Sequence, residues 1–278
     1  MATLSAFADE VADGFSSQVQ YLGSEGIGHI EIRFVNGTNV MDLSDAELRE
    51  AKQMLGDHGL GVSAIGSPIG KVRIDEPFGP HLDRCKHAVD LSTFFEAPFV
   101  RIFSYYPPEG GRIEDHRSEV LDRMRRKVEL LEGTETVLVH ENEAGIFGHS
   151  AEACVDIVES VGSPKLRLAY DPANFVWGQK IADNMASCWP LMKPYVVHVH
   201  VKDWKLGDEA LGAIPGEGDG RIRDLLAELA ALPYDGYLTM EPHLRSGGQF
   251  GGQTGPELFS EAVRATRTLC REVGLPCD

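Results

Sequence analysis

The sequence predicts a single (β/α)8 barrel, one α/β domain covering residues 1–278. Three observations lead there. Eight short apolar runs of β-type residues alternate with longer stretches of helical periodicity. No Pro/Gly/Ser-rich linker or block of like charge divides the chain into halves. Each of the last four apolar runs ends in a carboxylate or an imidazole, and barrels of this type build their active sites at the C-terminal ends of their strands.

The strands are expected at 3–7 (TLSAF), 28–34 (GHIEIRF), 60–66 (LGVSAIG), 98–103 (PFVRIF), 136–141 (TVLVHE), 166–171 (LRLAYD), 195–201 (YVVHVHV) and 236–241 (GYLTME). Strands that alternate with helices imply a parallel sheet. A doubly wound open sheet is the competing arrangement. No G-x-G-x-x-G follows the first run, which weakens its dinucleotide-binding version.

Two helices carry end signals. In 44–58, Ser44 and Glu47 form a capping-box pattern, Leu43 can staple onto Leu48, and Gly59 supplies a stop. In the last helix, Thr254 and Glu257 repeat the box, and Leu258, Ala262, Ala265 and Leu269 are expected to form the apolar face.

Composition narrows the partners. Asp plus Glu outnumber Lys plus Arg by 43 to 26, a formal charge of -17 that would repel a polyanion. Neither a nucleic acid nor a membrane surface is therefore an expected partner. The five cysteines are scattered and never spaced C-x-x-C, so reduced thiols of a cytoplasmic protein are the expectation. The start, Met1-Ala2-Thr3-Leu4, lacks the pattern of a secretory signal, and no run reaches the ~18 apolar residues of a membrane span.

The chemistry lies at the strand ends. The fifth strand closes on His140-Glu141-Asn142-Glu143, and the sixth on Tyr170-Asp171-Pro172-Ala173-Asn174. The seventh closes on His198-Val199-His200-Val201-Lys202-Asp203, and the eighth on Met240-Glu241-Pro242-His243. Period-two alternation puts His198, His200 and Lys202 on the axial face and Val197, Val199 and Val201 under the helices. It likewise groups Tyr237, Thr239 and Glu241 inward. Glu141, Asp171, His200 and Glu241 would repel one another and be costly to desolvate without a cation. One divalent metal removes the conflict. Three oxygen ligands and one nitrogen suit Mn2+ or Mg2+ better than a sulfur-rich zinc site, with Zn2+ and Co2+ left open.

At these residues the chain resembles the sugar phosphate isomerase/epimerase family with a xylose isomerase-like TIM barrel, which includes ketose 3-epimerases, hydroxypyruvate isomerases and inosose dehydratases. The resemblance covers nearly the whole chain. It rests on Glu141-Asn142 with Gly148-His149-Ser150-Ala151-Glu152, Asp171-Pro172-Ala173-Asn174, and His198-Val199-His200-Val201-Lys202-Asp203. Pro215-Gly216-Glu217-Gly218-Asp219-Gly220 and Asp235-Gly236-Tyr237-Leu238 leading to Glu241-Pro242-His243 complete it. The resemblance implies metal ligation by the same four residues, and an acid/base pair formed by Glu141 and Glu241 on opposite faces of a sugar. One departure stands out: the ketose 3-epimerases carry His three residues after the metal-binding Asp, where this chain has Asn174.

The expected activity is isomerisation or epimerisation of a ketose or related hydroxy-ketone through an enediolate, with dehydration of a keto-inositol or 3-keto-glycoside as the alternative. His198, Lys202, Asn174, Arg221 and Lys71 are the expected contacts to the small-molecule sugar. Arg33 lies near the end of the second strand. Arg101 shares the parity of Phe99 and Phe103, which leaves its direction open. The 215–220 loop reads as a turn, with a phosphate cradle as a weaker reading. A zinc-type DNA-repair endonuclease would need a basic face, which the charge opposes; a non-catalytic sugar-binding barrel would not need opposed carboxylates. Barrels of this kind often associate, so a homo-oligomer stays open.

Overall fold

The computed structural model describes residues 1–208, 210–232, 234–245 and 253–278. Eight parallel strands occupy the expected positions: β1 (Thr3–Ala6), β2 (His29–Ile32), β3 (Gly61–Ile65), β4 (Phe99–Ile102), β5 (Val137–Glu141), β6 (Leu166–Tyr170), β7 (Val196–Val201) and β8 (Tyr237–Met240). Their order in the sheet is β1-β8-β7-β6-β5-β4-β3-β2. β1 also packs beside β2, so the sheet forms a nearly closed (β/α)8 barrel. Among the described residues, no helix is long and apolar enough to cross a membrane.

A helix follows each strand: α1 (Phe15–Glu25), α2 (Asp45–Asp57), α3 (Phe78–Phe95), α4 (Arg117–Glu129), α5 (Ala151–Val161), α6 (Pro172–Gln179), α7 (Ile222–Ala231) and α8 (Pro256–Val273). The box at α2 forms as read: Ser44 Oγ accepts from the Glu47 N–H, and Glu47 Oε2 accepts from the Ser44 N–H at 2.8 Å. Gly59, at φ +67°, follows its end.

The start of α8 corrects the sequence reading. Gly255, at φ +75°, precedes the helix, and the Thr254 hydroxyl donates to Glu10 Oε2 at 2.6 Å, so it does not cap with Glu257. A buried carboxylate is the stronger acceptor, and it draws the hydroxyl away from the helix. The buried face is Phe259, Ala262, Val263, Thr266 and Cys270, with Leu258, Ala265 and Leu269 only half-buried. The helix is thus turned by about one residue, or about 100°. The Phe259 ring packs edge-on against Tyr21 of α1.

Alternation along the strands holds. Val199 and Val201 join the core under the helices, while His198 and Thr239 meet inside the barrel at 3.1 Å. Two register shifts occur in the sheet: β3 carries the extra residue Ser63 opposite Ile30/Glu31 of β2, and β7 carries Val197 opposite Leu168/Ala169 of β6. Such irregularities re-aim side chains, and the first occurs where Glu31 turns into the barrel.

Candidate active site

Glu141 ends β5, Asp171 follows β6, His200 lies on β7 and Glu241 follows β8. One ligand atom from each lies within 4.8 Å of the others. His200 Nδ1 is 3.4 Å from Glu141 Oε1 and 3.4 Å from Glu241 Oε2. His200 Nδ1, Asp171 Oδ2, Glu141 Oε2 and Glu241 Oε2 are all buried and have no hydrogen-bond partner among the described residues, although Lys202 faces Asp171 Oδ2 and Arg101 faces Glu141 Oε2 as ion pairs. Orphaned buried polar atoms are costly. Three carboxylates and an imidazole at this spacing fit a divalent cation, which would satisfy them together.

Local sequence explains how Asp171 is aimed. It is the N-cap of α6: Oδ1 accepts from the Asn174 N–H at 3.1 Å, and Pro172 occupies the first turn. Oδ2 is thereby left to face the cluster. The Asn142 side chain bridges to the Asp171 backbone through both its amide groups, at 2.8 and 2.9 Å, and ties the ends of β5 and β6 together.

Each glutamate is held from two sides. Glu141 and Glu241 each turn one oxygen to His200 Nδ1, while the other oxygen faces an arginine. Arg33 Nη1 donates to Glu241 Oε1 at 3.0 Å, and Arg101 Nη1 lies 3.3 Å from Glu141 Oε2. Burial lifts the Glu141 carboxyl, but His200 and Arg101 outweigh it and hold it down at about 2. Burial opposes ionisation of Glu241 as well, and Lys202, His243 and His200 hold it well below the ordinary carboxylate range. Asp171 behaves differently. Burial lifts it to about 7, against the pull of Lys202 and with the help of Glu141 and Glu241. His200 is pushed well above the usual imidazole value, because Glu141 and Glu31 overcome its burial.

The remaining expected contacts separate into two groups. Lys71 and Lys202 line a cavity of about 200 Å³ beside Glu141 and Glu241. Lys71 pairs with Glu143 at 2.8 Å, and Lys202 lies 3.2 Å from Asp171 Oδ2. Asn174 is buried, and its Nδ2 donates to Glu141 Oε1 at 3.1 Å, so it orients that carboxylate. His198 departs from the expectation of a sugar contact. It is fully buried, and its Nε2 lies 2.7 Å from Glu31 Oε2 and 3.1 Å from the Thr239 hydroxyl, below His200. It lies two residues before His200, and three residues of strand follow it towards the mouth. Arg221 also departs: it precedes α7 at φ +58° and pairs with Asp224 and Asp183 on the surface, outside the cavity lining.

The weaker phosphate-cradle reading of 215–220 is overturned. The N–H groups of Gly216, Gly218 and Gly220, with that of Trp204, all donate to the Asp203 carboxylate at 2.8–3.0 Å. An internal anion already occupies the concavity such amides form. At Gly218 a Cβ would come within 2.3 Å of Asp203 Oδ1, which is why glycine stands there.

Three acidic residues escaped the sequence reading. Glu31 is fully buried and lies 3.3 Å from His200 Nε2. Asp9 accepts from Arg33 Nε at 2.9 Å. Glu10 accepts from the His243 N–H at 3.0 Å, and His243 Nε2 lies 3.3 Å from Glu241 Oε1. A charge set between Ile30 and Ile32 in mid-strand was the available signal for Glu31. Asp9 and Glu10 lie in a short 3-10 turn that had no such signal.

No curated protein matches the chain. Solved structures do. A xylose isomerase-like TIM barrel protein from Mycobacterium smegmatis, in complex with magnesium, superposes with a TM-score of 0.76 at 16% identity, covering 99% of this chain and 98% of that one. A D-psicose 3-epimerase from Clostridium cellulolyticum H10, with D-tagatose, gives 0.73 at 15%, covering 99% and 100%. A probable 3-DHS dehydratase from Bacillus anthracis, AsbF, gives 0.74 at 15%, covering 96% and 98%. At such identity these likenesses concern the fold. The family model described as xylose isomerase-like TIM barrel matches residues 19–269, and the chain belongs to that family.

Proposed function

We propose that the protein is a divalent-metal-dependent sugar isomerase or epimerase acting on a ketose or related hydroxy-ketone. The observation that carries this reading is the pair Glu141 and Glu241, each with one oxygen turned to His200 Nδ1 and the other to its own arginine. Glu141, Asp171, His200 and Glu241 would hold the ion. Bound there, a divalent ion polarises the substrate carbonyl and offsets charge developing on its oxygen.

Both glutamates are held ionised by cationic neighbours, so either is competent to remove a proton from the carbon next to the carbonyl. The proton returns from the same carboxyl or from its partner. Return on the opposite face inverts the centre, and return at the neighbouring carbon exchanges aldose and ketose. Lys202, 3.7 Å from Glu241 Oε2, stabilises that carboxylate between turnovers.

Dehydration of a keto-inositol or 3-keto-glycoside is the second reading, and Asn174 favours it. The amide donates to Glu141 and to the Asn142 carbonyl at 2.9 Å, and, unlike an imidazole, it cannot take up or release a proton at neutral pH. The test is incubation of Mn2+-loaded protein with ketoses and keto-inositols in heavy water. Deuterium at the carbon beside the carbonyl with carbon skeleton and oxygen count intact supports the isomerase; loss of one water supports the lyase. Glu241→Gln should lower either turnover by about 100-fold or more. A folded, metal-loaded variant with full turnover would remove Glu241 from the mechanism.

A further inference from the structure

Four cationic side chains line the cavity beside the glutamate pair: Arg33, Lys71, Arg101 and Lys202. Three of them already pair with a carboxylate at 2.8–3.2 Å. Arg33 gives Nε and Nη2 to Asp9, at 2.9 and 2.8 Å, and Nη1 to Glu241. Lys71 is paired with Glu143, and Lys202 lies among Asp171, Glu241 and Asn174.

Arg101 differs. Among the described residues its Nε is buried without a hydrogen-bond partner, and its one hydrogen bond is a long one, 3.4 Å, from Nη2 to the Gly66 carbonyl. Nη1 faces Glu141 Oε2 at 3.3 Å, but that oxygen also has no hydrogen-bond partner among the described residues, so the pair is an electrostatic contact only. The guanidinium is nevertheless firmly placed. Its carbon lies 4.9 Å from the centre of the Phe7 ring and 5.1 Å from that of Phe103, and Lys71 Nζ lies 4.3 Å from the same Phe103 ring. Aromatic faces hold a planar cation without using its N–H donors.

Charge makes the shortfall larger in the working enzyme. Glu141 is the counter-ion of Arg101, and an ion held by the four-residue cluster would draw on that same carboxylate. Arg101 would then be a buried cation with spare donors and a weakened counter-charge, an arrangement that favours an incoming anion. A neutral hydroxyl could accept one N–H bond but would leave the charge uncompensated.

We propose that Arg101, with Lys71 beside it, anchors an oxyanion carried by the substrate, and that this oxyanion is a carboxylate, so that the substrate is an acidic hydroxy-ketone. This rests on the metal-assisted reading above and specifies its substrate class. The planar fork of an arginine matches a carboxylate in two parallel hydrogen bonds. The anchor lies at the end of β4, across the mouth from Glu241, so it would hold one end of a short chain while the carbonyl end meets the glutamates.

The experiment compares ligands by calorimetry and thermal shift on Mn2+-loaded protein: the keto acids 5-keto-D-gluconate and D-fructuronate, the neutral ketoses D-fructose and D-tagatose, and D-fructose 6-phosphate. The keto acids should bind about 30- to 100-fold more tightly than the neutral ketoses. Arg101→Met should abolish most of that preference, and Arg101→Lys, which keeps charge but not the fork, should retain part of it. Equal binding of acids and neutral sugars to the wild type, or a preference that survives in Arg101→Met, overturns the anchor. Tighter binding of the phosphate than of either acid overturns the carboxylate. The two readings fail separately. Deuterium exchange into neutral ketoses with no binding of acids sinks the anchor and leaves the isomerase. Preferential, Arg101-dependent binding of acids without exchange or water loss supports the anchor and sinks the isomerase.

Discussion

Glu31 Oε2 lies 3.3 Å from His200 Nε2, on the edge of the imidazole opposite the one that faces Glu141 and Glu241. A carboxylate so placed fixes ring orientation and raises the basicity of the other nitrogen, and losing one from a metal site typically weakens the ion about 10- to 100-fold. Glu31→Gln should therefore lower Mn2+ affinity by that factor, measured by competition with a chelating dye. An unchanged affinity would show that His200 is oriented by packing against Phe7, whose ring meets it edge-on at 5.3 Å.

Metal uptake should release protons near neutral pH. Without metal, burial holds the Asp171 carboxyl up at about 7, and His200 titrates well above the usual imidazole value. Ligation requires both to be deprotonated. The sign follows: affinity rises with pH through about 7 and falls as either group gains its proton. Titration calorimetry at pH 6 in two buffers of different ionisation enthalpy should give about two protons released per ion. Zero release would contradict the protonation states described for the cluster.

Asp203 and the 216–220 loop should behave as a structural unit. Four backbone N–H groups converge on one carboxylate, and an asparagine would turn an NH2 group toward some of them. Asp203→Asn should cost about 2–4 kcal/mol in denaturant unfolding. Gly218→Ala should destabilise in the same assay, because its Cβ would overlap Asp203 Oδ1. A neutral result for both would mean that the loop relaxes freely.

Glu10 ties the first turn to the start of α8. Its carboxylate accepts from the His243 N–H and the Thr254 hydroxyl, and its carbonyl accepts from the Thr254 and Gly255 N–H groups at 2.9 Å. Glu10→Ala should cost about 2–3 kcal/mol of stability through the unsatisfied donors left behind. The check is the urea midpoint, with Thr254→Val in parallel. If the two losses add fully in the double variant, the hydroxyl and the carboxylate do not act together.

Much of the fold was legible because its signals are local. The expected runs contain all eight strands of the barrel, since period-two apolar patterning is written along a few consecutive residues. The Ser44/Glu47 box formed for the same reason, as its partners are three residues apart. The Thr254/Glu257 box had identical credentials and failed, because Glu10, 244 residues away, accepts the Thr254 hydroxyl. Local propensity gives way where a buried charge needs a donor.

The sequence by itself pointed to the barrel and determined the eight strands and the residues at their ends, because alternation and strand-end placement depend only on neighbouring residues; the order of the strands came from their pairing. Only the tertiary structure decided which charges meet. Arg33 reaches Glu241 across 208 residues and Glu31 reaches His198 across 167. It turned Arg101 inward, sank His198 beneath His200, left Arg221 on the surface, and filled the glycine-rich loop with Asp203. The physical reason is common to all of them. A charge removed from water must find an opposite charge or a hydrogen bond, and barrel closure determines which ones come within reach.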